Sequence, residues 1–333
     1  MLMERTKIYD TSNARDEERL AYLAQVATMY YEEQKTQQEI AKSFGISRSG
    51  VSRLISEARA RGVVEIIVHH PLKTNKSLEE RLIRTFGIKD ARVLRGRYES
   101  YQEVLAWVGK LAARYFEERL RDGMTIGISW GGALYEMIRA IRPREFRNVE
   151  VVQLIGATGA EATPTSGPIL AQLLAERLHC RSYQLHAPLI VKEERARAAL
   201  MQERHIKETL ERARRADIAI VGIGTTNPGY YSLVRAGYLS EEEAQEVRAS
   251  GAVGDVCAQH YDLQGRWLDF PLNRCVIGIN HEDLRRIDNV IGVVGGEVKA
   301  AAIHGALRGN YVNALITDEA AARRVLQLDG QRI

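Results

Sequence analysis

The chain has 333 residues, 45% hydrophobic and 27% charged, which fits about two globular domains and excludes a mainly disordered protein. A surplus of 47 Lys and Arg over 43 Asp and Glu leaves a formal charge of +4, excluding a polycationic protein but not a basic patch diluted by a large neutral domain. Cys180, Cys257 and Cys275 are odd in number and lack CxxC spacing, so neither a disulfide framework nor a structural zinc site is expected.

In chain order, the opening MLMERTKIYDTSNARDEERL has no apolar run of the signal-peptide kind, and no later stretch has the length of a membrane span. A cytoplasmic protein with no membrane partner is expected. Leu20, Leu23, Ala27 and Tyr30 then recur at helical spacing. Thr36-Gln37-Gln38-Glu39 reads as a capping box that starts a second helix carrying Ile40, Ala41 and Phe44, closed by Gly45. Ser47 is a natural N-cap for a third helix with Val51, Leu54, Ile55 and Ala58 on its apolar face, ended by Gly62. Residues 63–68 read as a strand, broken by Pro71. The division into domains is placed there, giving 1–71 and 72–333.

From residue 72 a polar helical stretch reaches Gly87, followed by a candidate strand over 91–94. Beyond Asp122, apolar strands are predicted at 124–129, 149–155, 217–223, 276–279, 290–294 and 312–317. Helix-like segments lie between them at 169–178, 205–214 and 298–307. Continuous β-branched runs separated by helices predict a mostly parallel, doubly wound α/β sheet.

Two helices joined by a glycine turn can be a plain αα-hairpin. The small Ala41, the turn Gly45 and the β-branched Val51 suit the tighter helix-turn-helix, whose second helix enters the major groove of DNA. With the apolar face inward, Ser49, Arg53 and Ser56 face outward and Ser52 lies on a flank; short hydroxyls and arginine reach phosphates and base edges. Head residues 1–71 carry balanced charge, yet 42–61 hold Lys42, Arg48, Arg53, Arg59 and Arg61 against Glu57 alone. Thr36, Gln37, Ser47, Arg48, Ser49, Ser52, Arg53 and Arg59 are therefore the candidate DNA contacts. The strand after the third helix is a candidate wing, with His69 and His70 read as surface residues rather than metal ligands.

The run TQQEIAKSFGISRSGVSRLISEARARGVVEIIV resembles the DNA-binding region of SorC-type bacterial transcriptional regulators. The resemblance continues in order through IGISWGGAL, VVQLIGA, ADIAIVGIGT, GAVGDVCAQHYDLQG and VIGVVGGEVKAAAIHGALRGNYVNALITDEAAA. It implies a winged helix-turn-helix head on a Rossmann-like effector domain related to sugar-phosphate isomerases, and hence double-stranded operator DNA, a carbohydrate effector and a homo-oligomer, dimer or tetramer.

Ser129, Trp130, Gly131, Gly132 and Ala133 form a glycine loop between a strand and a helix, able to aim backbone amides at an anion. Many SorC-like regulators carry a polar side chain after the loop glycine, where this chain has Ala133. Pro168 likewise stands at an Asn-like position, near Thr165 and Ser166. Gly156 and the Gly222-Ile223-Gly224 segment follow further strands, where ligands of open parallel sheets bind. No complete GxGxxG is present, and no cofactor is expected. Asp255 and Gln259 can bond hydroxyl groups, with a capping or loop-fixing aspartate as the equal alternative. Lys299 can hold a phosphate and Glu297 hydroxyls, against a surface salt bridge as the alternative. The expected function is a regulator of carbohydrate metabolism, a repressor released by a sugar or polyol phosphate. The alternative is an isomerase-like enzyme with an appended head, using Asp255, Glu297 and Lys299 for proton transfer.

Overall fold

The computed structural model describes residues 11–64, 72–157 and 163–331, with side chains from residue 16 onward. The chain divides into two compact units, Met1–Pro71 and Leu72–Ile333.

In the first unit, α1 (Thr11–Tyr31), α2 (Gln37–Phe44) and α3 (Arg48–Ala60) enclose one small core. Leu23 and Val26 of α1 meet Ile40 and Ala41 of α2 and Val51, Leu54, Ile55 and Ala58 of α3. Local chemistry sets each helix boundary. The Thr36 hydroxyl accepts the Glu39 amide, and the Glu39 carboxylate accepts the Thr36 amide at 2.8 Å, completing the capping box. Gly45 closes α2 in the left-handed region at φ 65°, and Ser47 starts α3 by accepting the Gly50 amide at 3.1 Å. Val63 and Val64 pack against this core without forming a strand. The rest of the expected wing, with His69 and His70, lies outside the described residues.

The second unit begins with α4 (Lys76–Phe86), β1 (Asp90–Leu94), α5 (Tyr101–Glu117), β2 (Thr125–Ile128), α6 (Gly132–Ala140), β3 (Glu150–Gln153) and α7 (Gly167–Arg177). It continues through β4 (Arg181–Tyr183), α8 (Glu194–Leu200), α9 (Arg204–Arg214), β5 (Ile218–Thr225), α10 (Ser232–Arg235) and α11 (Glu241–Ala249). The short strands β6 (Gly254–Val256) and β7 (Gln259–Tyr261) precede α12 (Pro271–Arg274), α13 (His281–Arg286) and β8 (Asn289–Val293). A 3-10 turn, Glu297–Lys299, runs into α14 (Ala300–Arg308), and β9 (Ala314–Asp318) and α15 (Glu319–Leu328) end the fold.

The parallel sheet runs in the order β1-β9-β8-β5-β2-β3-β4. Its strands are apolar on both faces because helices cover both. Ile218 and Ile220 of β5 enter one core, Ala219 and Val221 the other. From β2 the chain moves outward to β3 and β4, then returns to place β5 on the other side of β2 and moves outward again to β8 and β9. The loops leaving β2 and β5 therefore diverge, which opens a crevice at their carboxyl ends.

Two features of the second unit differ from the sequence expectation. Residues 276–279 do not form a sheet strand; Val276 and Gly278 make isolated antiparallel bridges to Ile190 and Ile155. Both sides of β5 are already taken by β2 and β8, so this apolar run is buried beneath loops, where Ile277 and Ile279 donate to Leu189 and Leu154. The GDVCAQHYD stretch, not among the predicted strands, is the hairpin β6–β7 on the end of β5. Its two-residue turn is Cys257-Ala258, with φ of 54° and 58°, the pairing of left-handed residues a type I′ turn needs. That turn ordinarily announces itself by Asn-Gly, which explains why it was not visible.

Candidate functional site

On the head, α3 leaves Arg48, Ser49, Ser52, Arg53 and Ser56 exposed. Arg48 and Arg53 make no hydrogen bond or ion pair among the described residues. Arg59 is engaged within the head: its Nε donates to the Tyr31 hydroxyl at 2.7 Å, and the guanidinium lies over that ring. Arg61 pairs with Asp16 at 2.6 Å, and Arg19 with Glu57 at 2.5 Å. Thr36 and Ser47 are both occupied as helix caps, and Gln37 is half-buried at the first turn of α2. The positive surplus seen in the sequence is thus partly internal, with Arg48 and Arg53 its free members on α3.

At the strand switch of the second unit lies a cavity of about 1020 Å³. Trp130, Gly131, Gly132, Ala133, Gly222, Gly224, Asp255 and Lys299 line it, so eight residues singled out from four separate sequence segments share one wall. The loop after β2 supplies the start of α6. Gly131 is its N-cap at φ 124°, with no side-chain cap, and the Gly131 amide is held by Thr165 O at 3.0 Å. The amides of the first turn have no partner within the helix, and the positive end of the helix dipole faces the cavity.

Asp255 has two roles, one for each oxygen. Oδ2 accepts the Ala258 amide at 3.2 Å and fixes the hairpin turn. Oδ1 is buried without a hydrogen-bond partner. A buried carboxylate oxygen left unpaired is costly, so a bound hydroxyl or amine would gain from meeting it. Gly224 makes room for this group: a Cβ there would stand 1.9 Å from Asp255 Oδ1. Gly224→Ala should therefore displace Asp255, destabilise the protein by roughly 1–3 kcal/mol and abolish ligand stabilisation. Thermal denaturation with and without ligand checks this, and a variant with unchanged ligand response would show that the Asp255 position is unimportant.

Lys299 reaches the same wall and donates to Ile223 O at 2.8 Å. Burial pushes its ammonium down to about 8; neighbouring Asp255 opposes that shift and Arg235 adds to it. Arg235, from α10, also lines the cavity and makes no hydrogen bond or ion pair among the described residues. Sequence reasoning missed it, because α10 is a four-residue helix with no motif of its own. Tyr101 and Tyr230 were likewise not singled out as site residues, while Thr163 and Thr165, from the stretch around Pro168, also line the cavity.

Four of the sequence candidates lie outside the cavity lining. Ser129 is buried, its hydroxyl accepting the Gly222 amide at 3.2 Å and joining the ends of β2 and β5. Gly156 packs against the backbone of Pro188, which a Cβ would meet at 2.4 Å. The Thr158 and Gly159 that follow lie outside the described residues. Gln259 is buried and accepts the Trp267 indole N–H at 2.8 Å. Glu297 lines a separate cleft of about 410 Å³ with Asn227 and Arg324.

Residues 70–327 match the sugar-binding domain family, and residues 24–61 match region 4 of sigma-70, a helix-turn-helix segment. The solved full-length sorbitol operon regulator SorC from Klebsiella pneumoniae superposes with a TM-score of 0.69 at 31% identity, covering 93% of this chain and 99% of that one. The chain belongs to the SorC family of transcriptional regulators. As a SorC-family member it has a DNA-binding head and a sugar-binding domain. It is 32% identical to the deoxyribonucleoside regulator of Bacillus subtilis, over 93% of this chain and 99% of that protein. The sorbitol operon regulator of K. pneumoniae is 30% identical in sequence over 92% of this chain and 97% of its own. These relatives are named as regulators, and the protein is a regulator rather than the isomerase-like enzyme weighed above. No described helix is long and apolar enough to cross a membrane.

Proposed function

We propose that the cavity binds a phosphorylated sugar or polyol and that its occupation releases the protein from operator DNA in the cytoplasm. One observation carries this reading: Asp255, whose buried Oδ1 has no partner, and the unpaired donor Arg235 line the same cavity as Lys299 and the start of α6. Cationic groups and free amides suit a phosphate, while a buried carboxylate oxygen suits a sugar hydroxyl. Because Ala133 has no hydroxyl to offer, the α6 contribution is made by backbone amides, with Lys299 and Arg235 as the charged partners. The relatives named for deoxyribonucleosides and sorbitol support a small carbohydrate as the signal.

Arg48, Ser49, Ser52 and Arg53 are the residues assigned to operator DNA in this reading. Two heads are needed to read two half-sites, so the working form is a homo-oligomer, a dimer or a tetramer. Release requires the effector to favour the DNA-incompetent arrangement; moving a 99:1 equilibrium to 1:99 takes about a 10⁴-fold difference in affinity. The test is a thermal-shift screen of sugars, polyols and their phosphates, followed by operator binding with each hit. Phosphorylated hits that weaken operator binding support the proposal. Turnover of a hit without any effect on DNA, or stabilisation by neutral sugars alone, defeats it.

A further inference from the structure

The cavity contains two rings that the fold itself does not use. Tyr101, at the first turn of α5, and Tyr230, in the loop after β5, meet edge to face with centroids 5.3 Å apart. Neither belongs to either hydrophobic core of the domain, whereas the cavity's other aromatic rings, Trp130, Tyr135 and Tyr238, pack against one of them. Neither phenol makes a hydrogen bond among the described residues, and Tyr230 is one of two exposed large hydrophobic side chains found there. Tyr101 is placed firmly, because its ring lies against Gly296, where a Cβ would approach to 2.9 Å. Tyr230 is anchored through its neighbour: Tyr231 is fully buried, its hydroxyl 2.6 Å from His260 Nε2 on the hairpin that carries Asp255. Two rings are thus held in place, at the edge of a cavity whose volume reaches the top of the range for drug-sized ligands, about 300–1,000 Å³. A single phosphorylated monosaccharide at the charged wall would leave much of that space to water.

We propose that Tyr101 and Tyr230 form an aromatic platform for a second ring of the effector, making the ligand a phosphorylated glycoside rather than a single sugar phosphate. The proposal rests on the anionic-effector reading above. Aromatic side chains recognise both flat aromatic groups and the apolar C–H faces of sugar rings, so the second ring is either an aromatic aglycone or another sugar. Its attachment away from the phosphate lets Lys299 hold the charged end while the tyrosines take the second ring, with Arg235 within electrostatic reach of both Lys299 and Tyr101.

The experiment compares four probes on the full chain by calorimetry: glucose 6-phosphate, p-nitrophenyl glucoside 6-phosphate, cellobiose 6′-phosphate and the unphosphorylated p-nitrophenyl glucoside. A two-ring phosphate should bind about tenfold more tightly than glucose 6-phosphate, the tighter of the two identifying the second ring as aryl or sugar. Tyr101→Leu and Tyr230→Leu should remove that advantage while leaving glucose 6-phosphate affinity within about twofold. Tyr101→Phe and Tyr230→Phe should keep it, because the ring and not the hydroxyl makes the contact. Equal affinity for one-ring and two-ring phosphates in the native protein overturns the platform, as does an advantage that survives both leucine variants or failure to bind any probe. Tyrosine-dependent binding of the neutral aryl glucoside, with no gain from its phosphate, would sustain the platform and defeat the anionic reading.

Discussion

Replacing Arg53 with alanine is expected to weaken operator binding by roughly 10- to 100-fold, about 1–3 kcal/mol, while leaving effector affinity unchanged. The expectation follows from what holds this side chain and what does not. Val51, Leu54 and Ile55 are buried against α1 and α2, which fixes the rotation of α3 and turns Arg53 outward between exposed serines. Its guanidinium has no partner among the described residues, so nothing in the head is lost when it is removed. Arg59 makes the contrast. It is equally cationic, but its bond to Tyr31 ties α3 to α1, and Arg59→Ala should lower the stability of the head more than it lowers the salt dependence of DNA binding. Fluorescence anisotropy of labelled operator across a salt series separates the cases. If Arg53 contacts a phosphate, its loss reduces the salt slope by about one unit and weakens all sequences alike; if it reads a base, the operator suffers more than random DNA. Equal loss of DNA and effector binding would show that the two units do not divide these tasks.

The head was legible in the sequence because its boundaries are made locally. Thr36 with Glu39, Gly45 and Ser47 each act within four residues, and the structure places them in the expected capping geometry. The parallel sheet was legible for a similar reason, since strands covered on both faces are apolar throughout. What was not visible depended on tertiary position. The run at 276–279 has strand composition but finds no free edge at β5, while β6–β7 forms on a turn of Cys257 and Ala258 that carries no turn signal. In the cavity, glycine loops after strands could be found by their position, whereas Arg235 and Tyr230 come from a segment with no periodic pattern. At Asp255 one oxygen fixes a turn, and the other is buried without a partner on a residue that lines the cavity. Gln259, four residues on, was placed with it by sequence proximity alone, and the hairpin carries it instead to the Trp267 indole.

Replacing Lys299 with methionine should lower affinity for an anionic effector about 100-fold, as loss of a charge-assisted bond in a partly dry site commonly costs about 1.5–3 kcal/mol. The native protein should show the same dependence through pH. Its ammonium is held down to about 8 by burial, so the charged fraction falls as pH rises through that value, and effector affinity should fall with it. Stability of the ligand-free protein should move in the opposite direction. An unfolded lysine keeps its proton up to about 10.5, while the folded one releases it near 8. Between these values the unfolded state binds more protons, so raising the pH favours the folded state. Lys299→Met removes the buried charge and should abolish this rise; below pH 8 the loss of the bond to Ile223 O and of the attraction to Asp255 works against the variant. Denaturant melts from pH 7 to 10 and calorimetry with the best phosphorylated hit measure the two trends together. A methionine variant that keeps its effector response would move the phosphate away from Lys299, to Arg235 and the amides of α6. Loss of the response without loss of the stability trend would instead show that the ammonium titrating near 8 belongs to another residue.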